Sequence, residues 1–441
     1  MALRRRSRDP RDREIARLAL PALGALAAEP LYVLADTAVV GHLGTPQLGG
    51  IAVAGTILTT GFWVFNFLAY GTTAAVARSI GAGRSEAAAR QAVQALWLAI
   101  GVGACLAVLG LAFAPAAVGF MGASDAVRPH ALLYLRISVL GAPAVLVALV
   151  GVGYLRGIQD TVGTFRIALL ANLANLVAEV TLIYGVGLGL GASAATTVAA
   201  QVGAAVFFAR EIVGQGRAAG VSFRPDPAAQ RVLVSVGRDL FIRTGSLQAA
   251  LALATAVATR LGTVPVAAHQ IAFQLWLFLA LVLDSLAIAG QAMIGRLLGA
   301  GDAGEARSVA RRLVAWGLLA GLLFAVVVVA LRPVLPHLFT SDPRVVAQTV
   351  DVLWFVALLQ PFNAVVFVLD GVLIGAGDLR YLARAMLVAL AVFAPAALAV
   401  AAADLPLTAL WAALSLMMAV RLVTLAARFA GTRWAVVGPG D

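Results

Sequence analysis

Five carboxylates stand inside stretches otherwise apolar enough to cross a membrane: Glu29 and Asp36 in the first, Glu179 in the fifth, Asp284 in the eighth and Asp370 in the tenth. A carboxylate at bilayer mid-depth costs at least about 2.5–3.5 kcal/mol, so each one calls for a function or a buried partner. Glu29 and Asp36 are seven residues apart, two helical turns, and share a helix face. Asn172, Asn175 and Glu179 fall at i, i+3 and i+7 and form a second polar stripe. If the two stripes meet inside one bundle, the carboxyls are paired, and the Asn175 amide can hydrogen-bond a carboxyl in either protonation state. Two carboxyls sharing a lipid-shielded site can take up and release a proton near physiological pH. The same oxygens, with Asn175 and a hydroxyl, would also hold Na⁺ at Asp36, Asn175 and Glu179. The residue types leave H⁺ and Na⁺ both open.

Other chemistries lack their residues. The four histidines, His42, His130, His269 and His337, show no HxxxH or HExxH spacing. No GxxxxGK[ST] phosphate loop occurs, and Gly81-Ala82-Gly83 is a turn with no strand before it. There is no paired-Asp motif and no Ser/His constellation, so an enzyme, a resident cofactor and a resident metal are not expected. Cys105 is alone in an apolar segment, which excludes an intrachain disulfide and points to packing. The net charge is +11 and every basic residue is Arg. These charges are spread over short loops, which argues for membrane topology and against a nucleic-acid partner.

The elements that must position the acids are membrane spans. The chain has 441 residues, is 62% hydrophobic and only 12% charged. Apolar runs of about 20 residues, each long enough for a bilayer core, fill nearly its whole length. The segments are continuously apolar rather than alternating, which excludes a β-barrel. Twelve spans are expected, at 17–41, 48–78, 90–114, 130–155, 162–187, 190–213, 235–261, 264–297, 308–331, 345–375, 380–402 and 405–430. The Arg-rich start followed by an apolar stretch has the look of a signal peptide. That stretch is too long, holds Glu29 and Asp36, and is an uncleaved first span. The domains follow: an Arg-rich N-terminus over 1–16, a six-helix lobe over 17–213, a linker over 214–234, a second six-helix lobe over 235–430 and a tail over 431–441.

Of the 32 Arg, 26 fall on the side of the termini, the linker and the loops after even-numbered spans. Arg128, Arg260, Arg332 and Arg344 fall opposite, and Arg136 and Arg243 fall within spans. This bias places both termini in the cytoplasm.

The second half repeats the first at an offset of 218 residues. Leu43-Gly44-Thr45 recurs as Leu261-Gly262-Thr263, Gly81-Ala82-Gly83 as Gly299-Ala300-Gly301, Pro143 as Pro361, Gly157 as Gly375 and Asp160 as Asp378. Six spans per half give two parallel six-helix bundles related by a pseudo-two-fold axis along the membrane normal, a common plan of secondary transporters. The ionisable groups are not repeated. Asp36 maps to Ala254, Asn175 to Phe393 and Glu179 to Ala397, whereas Asp284 maps to Asn66 and Asp370 to Val152. A coupling-ion site is therefore expected in the N-terminal half. Asp284 and Asp370, with Asn172 and Gln274, are candidates for a substrate cavity that attracts cationic cargo. Pro21 and Pro30 would kink the first span and let Asp36 move.

The segment Pro30-Leu-Tyr-Val-Leu-Ala-Asp36-Thr37 followed by Gly41-His-Leu-Gly44 resembles the first-span signature of the multidrug and toxic compound extrusion (MATE) transporters. Ala267-Ala268-His269-Gln270-Ile271, Arg156-Gly157-Ile-Gln-Asp160-Thr161 and Gly375-Ala-Gly-Asp378 resemble further junctions of that family, in its DinF-type branch. The resemblance covers essentially the whole chain. It implies an H⁺- or Na⁺-coupled antiporter that exports amphipathic or cationic organic compounds by alternating access. It implies a monomer in the inner membrane of a bacterium, with the lipid bilayer and small drug-like molecules as its partners. By the same resemblance Asp36, Asn175 and Glu179 match coupling-site positions, Pro21 a kink proline, Thr197 a sixth-span hydroxyl and Tyr134 a fourth-span hydroxyl. The fifth-span acid of the pattern is usually Asp; here it is Glu179, with a longer arm. Glu29 replaces a neutral amide and adds a proton acceptor. Two other twelve-span readings stand beside this one, a lipid-linked precursor flippase and a facilitator. The flippase needs a basic cavity, for which Arg136 and Arg243 offer little.

Overall fold

The computed structural model describes residues 9–438. Arg4, Arg5, Arg6 and Arg8 of the expected cytoplasmic N-terminus lie outside the described residues, as do the last three residues of the tail. All regular structure among the described residues is helical. The first half contains α1 (Pro10–Gly41), α2 (Thr45–Trp63), α3 (Phe67–Gly81), α4 (Ser85–Phe120), α5 (Arg128–Ser138), α6 (Ala142–Gly157), α7 (Thr161–Val180) and α8 (Leu190–Ala218). The second contains α9 (Pro227–Arg260), α10 (Thr263–Gly299), α11 (Ala303–Leu331), α12 (Pro343–Gly375), α13 (Leu379–Ala402) and α14 (Leu407–Ala430). Aspartates at the turns start several of these helices. Asp160 accepts from the Gly163 amide at 2.8 Å, Asp302 from the Glu305 amide at 2.8 Å and Asp342 from the Arg344 amide at 2.9 Å. Each satisfies an amide that the helix itself leaves unpaired.

Among the described residues, twelve helical segments are long and apolar enough to cross a membrane, in the order expected from the sequence. Large apolar side chains cover their outer faces, among them Leu31, Val108, Phe113, Leu319 and Val326. On a soluble surface such a display would be a liability; against lipid it is the favoured state. Cys105 is exposed among these faces rather than packed inside. The expected linker over 214–234 is mostly helix: α8 runs through Ala218 and α9 begins at Pro227, leaving only the turn between them. Pro21 and Pro30 both lie within α1, which stays helical across them from Pro10 to Gly41.

By contacts the chain forms two compact units, 24–237 and 1–23 with 238–441. The first helix of each half thus begins in one unit and ends in the other. Inside the units the internal repeat is physical. In the first, a Cβ on Gly103 would fall on the backbone of Pro143; in the second, a Cβ on Gly321 would fall on Gln360 and Pro361. These are equivalent positions, so the same bare-backbone approach brings α4 onto α6 and α11 onto α12. Elsewhere the repeat is broken. The second span is interrupted by a 3₁₀ turn at Val64–Asn66 and the fourth by one at Val139–Gly141. Their counterparts in α10 and α12 are continuous helix.

Candidate functional site

In the unit spanning 24–237, α1, α7 and α8 bring one buried polar cluster together. Asp36 is 6% exposed and Glu179 is fully buried. The Asp36 carboxylate accepts from the Ser193 hydroxyl at 3.2 Å and from the Tyr32 hydroxyl at 3.4 Å. The Asn175 amide donates to the Tyr32 hydroxyl at 2.6 Å and to the Thr197 hydroxyl at 3.2 Å. The two hydroxyls are themselves 3.2 Å apart. Helical spacing explains the grouping: Tyr32 and Asp36, Asn175 and Glu179, and Ser193 and Thr197 are each four residues apart, so each helix presents two polar groups from one stripe. Tyr134 is buried beside them, close enough to feel the charges of both carboxyls.

The hydrogen bonding is uneven. Asp36 has two hydroxyl donors. Both carboxyl oxygens of Glu179, and the Asn175 carbonyl oxygen, are buried and accept no hydrogen bond among the described residues. An ionised carboxylate so placed is costly unless a cation neutralises it. Three unpaired oxygens beside a second carboxylate form a place for a proton or a small hard cation. Just beyond Glu179 the α7 ladder widens into a π-turn over Thr181–Gly185, a distortion common near functional sites. From that turn the Tyr184 hydroxyl donates to the Val39 carbonyl at 2.7 Å, tying it to α1.

Of the residues singled out in the sequence, Asp36, Asn175, Glu179, Thr197 and Tyr134 converge here. Tyr32 and Ser193 belong to the cluster and were not picked out. Each lies one turn from a residue that was, and that spacing was the available signal. Glu29 shares a helix face with Asp36 but is exposed and stands outside the cluster. Asn172 donates to the Ala28 carbonyl of α1 at 3.2 Å, one turn before Asn175, and holds α7 against α1.

The unit containing 238–441 departs from expectation. Asp370 does not line an open cationic pocket. It accepts from Arg243 at 2.7 Å and also from Arg421. All three side chains are nearly buried. Arg421 lies deep in the last span, so Arg136 and Arg243 are not the only bases within spans; Arg136 itself is exposed. Asp284 is half-buried and acts electrostatically on Arg421. Asp370 thus compensates internal positive charge instead of offering negative charge to cargo. Gln274 is exposed and sits in a shallow groove with Gln270, Phe339 and Thr340, away from Asp370. Where the first unit has its acidic cluster, the second packs apolar groups: Phe393 and Ala397 are fully buried and Trp411 stands at the position equivalent to Ser193.

A MatE family model matches residues 21–181 and 246–400 of the chain. DNA damage-inducible protein F of Escherichia coli (strain K12) is 32% identical, with 94% of this chain and 91% of that protein covered. Protein DETOXIFICATION 44, chloroplastic, of Arabidopsis thaliana is 33% identical, with 95% of this chain and 82% of that protein covered. Among solved structures, an outward-facing multidrug resistance MATE family transporter of the MOP superfamily superposes with a TM-score of 0.84 over 97% of this chain and 96% of that one, at 21% identity. At that identity the likeness speaks for the fold.

Proposed function

The chain belongs to the MatE family of membrane transporters, and on that premise we propose that it exports amphipathic or cationic organic compounds in exchange for an inward-moving H⁺ or Na⁺ bound at Asp36 and Glu179. The observation that carries this reading is the fully buried Glu179 carboxyl, unbonded at both oxygens, beside the hydroxyl-held Asp36. Asp36 with its donors tolerates charge; Glu179 needs a cation. Tyr32, Asn175 and Thr197 join α1, α7 and α8 in one hydrogen-bond net that ends on Asp36, so loading an ion re-sorts donors on three helices at once. An ion moves cargo only if it prefers one conformation over another, and that re-sorting supplies the preference. The MatE family match and the fold shared with a multidrug resistance transporter at TM-score 0.84 are consistent with this reading.

The flippase alternative calls for free basic groups facing a phosphate head, whereas Arg243 and Arg421 are nearly buried and both engaged by Asp370. The test is transport of ethidium by proteoliposomes with ΔpH and ΔpNa imposed separately. The gradient that carries the coupling ion drives flux in the wild type, and Asp36→Asn and Glu179→Gln each reduce that flux at least tenfold. Gradient-driven flux at wild-type rate in either variant would refute the assignment.

A further inference from the structure

The start of α1 is held by three ion pairs, all inside the unit of 1–23 and 238–441. Arg312 of α11 grips Asp12 through both nitrogens, at 2.7 and 2.6 Å, and Trp316 donates to the same carboxylate at 2.8 Å. Arg11 grips Glu305 at 2.7 and 2.9 Å. Arg296 of α10 donates to Glu14 at 2.6 Å. Fork-to-fork pairs of this kind fix orientation as well as position.

The internal repeat supplies a control within the same molecule. The counterparts of Asp12 and Arg312 are Gln230 and Gln94. These two also meet, within the unit of 24–237: the Gln230 amide donates to the Gln94 carbonyl at 2.9 Å and to its side-chain oxygen at 3.2 Å. Gln94 further donates to the Arg224 carbonyl and accepts from the Asp226 amide, both at 2.9 Å. Each half therefore clasps the first turns of its leading helix at the same place. One clasp is ionic, the other is built from neutral amides. The counterparts of Arg11, Glu305 and Glu14 are Ala229, Ala87 and Val232, so none of the three ion pairs is repeated. The ionic clasp belongs to α1, which carries Asp36. The amide clasp belongs to α9, which carries Ala254 at that position.

We propose that Asp12, Arg312 and the flanking pairs are positioning residues for ion coupling: they anchor the start of α1 so that cation binding at Asp36 is converted into movement between the units. This rests on the reading of Asp36 as the ion site. Asp12 and Asp36 both belong to α1, 24 residues apart in the chain. A helix fixed only at Asp36 would respond to the ion by shifting alone. A helix fixed at both ends conveys the response to the unit that holds its start. The clasp is made of protein groups alone and shares none with the cluster around Asp36, so its loss is expected to leave binding intact and to remove the link.

The experiment measures linkage directly. Ethidium affinity of the full-length protein is titrated with and without saturating coupling ion, and gradient-driven flux is followed in proteoliposomes. In Asp12→Arg and in Arg312→Asp, ethidium affinity without the ion stays within twofold of wild type. The ion-induced change in that affinity shrinks at least fivefold, and flux falls at least tenfold. The exchanged pair Asp12→Arg/Arg312→Asp restores both to within threefold of wild type, which ties the loss to this pair, while the unchanged ion-free affinity of the single variants excludes a simple folding defect. Should the charge reversals fail to fold, Asp12→Gln/Arg312→Gln installs the amide clasp of the other half; it is expected to bind ethidium normally and to couple poorly. A full ion-induced change in any folded single or glutamine-pair variant, or no recovery in the exchanged pair, overturns the proposal. Asp36→Asn separates the two readings. If it keeps the ion effect, the site assignment fails and the clasp proposal with it; if it loses the ion effect while Asp12→Arg keeps it, only the clasp proposal fails.

Discussion

Removing one hydroxyl, that of Tyr32, disconnects Asp36 from Asn175 and Thr197. Tyr32 takes part in hydrogen bonds with Asp36, Thr197 and Asn175. Tyr32→Phe keeps the ring packing, strands a buried Asn175 donor and takes one donor from Asp36. A buried polar group left without its partner costs about 1–3 kcal/mol, so the thermal unfolding midpoint in detergent falls by several degrees. Ion-driven ethidium flux falls as well, because Asp36 is no longer joined to the Asn175 and Thr197 groups of α7 and α8. A variant that unfolds earlier but keeps its ion dependence would mean that Tyr32 is only structural. At this scale the sequence was partly readable. Carboxylates and amides within apolar runs stand out because their burial is expensive, and Asp36, Asn175 and Glu179 are found that way. Tyr32 and Ser193 do not stand out, because a phenol or a small hydroxyl is tolerated within a span without needing a special role. Only their one-turn spacing from Asp36 and Thr197 singles them out once the helices are in place. Asp370 was visible as an acid but not as a neutralised one. Its partners Arg243 and Arg421 are 127 and 51 residues away, and no local pattern links positions that far apart.

Three helices depend on that one acid. Asp370 of α12 joins Arg243 of α9 to Arg421 of α14. Asp370→Asn leaves two guanidinium groups crowded together and nearly buried with their main counter-charge gone. Breaking a buried ion pair from one side typically costs about 3–5 kcal/mol, so the protein should lose most of its thermal resistance or fail to accumulate in the membrane. Asp370 read as a cargo-attracting residue would give the opposite pattern, normal stability with weakened cation binding. Thermal unfolding of the purified variant beside its ethidium affinity decides between them. Element existence was legible throughout, since apolar runs of span length have few other stable outcomes. Interruptions were not. The 3₁₀ breaks at Val64–Asn66 and Val139–Gly141 have counterparts of similar composition that stay helical in α10 and α12. Packing against neighbours decides such breaks, and packing is not a local property of the sequence. The local structure of the linker was not legible for a related reason. Its Gly and Arg content resembles a loop, yet the Gln94 amide clasp and the α9 helix order most of it.

For the molecule as a whole, parity and charge fix an orientation that can be checked. The twelve candidate spans among the described residues are an even number, which predicts both ends of the chain on one side of the membrane. The arginines concentrate on that side, and moving Arg421 from a loop to the interior leaves the imbalance large. Positive loops stay in the cytoplasm, so both ends should be cytoplasmic. Green fluorescent protein fused to either end should therefore fluoresce in a bacterial host, while alkaline phosphatase at the same ends should be inactive. Alkaline phosphatase inserted in the turn between α4 and α5, after the third span, should be active. An active phosphatase at either end would mean an odd span or an inverted chain. An odd span in one half would also set the repeats antiparallel, and Pro143 and Pro361 would then kink helices running in opposite directions. The matched backbone contacts of Gly103 with Pro143 and Gly321 with Pro361 lie within each half and are the same for parallel and inverted repeats, so the fusion experiment, and not the internal packing, decides the side from which each half enters.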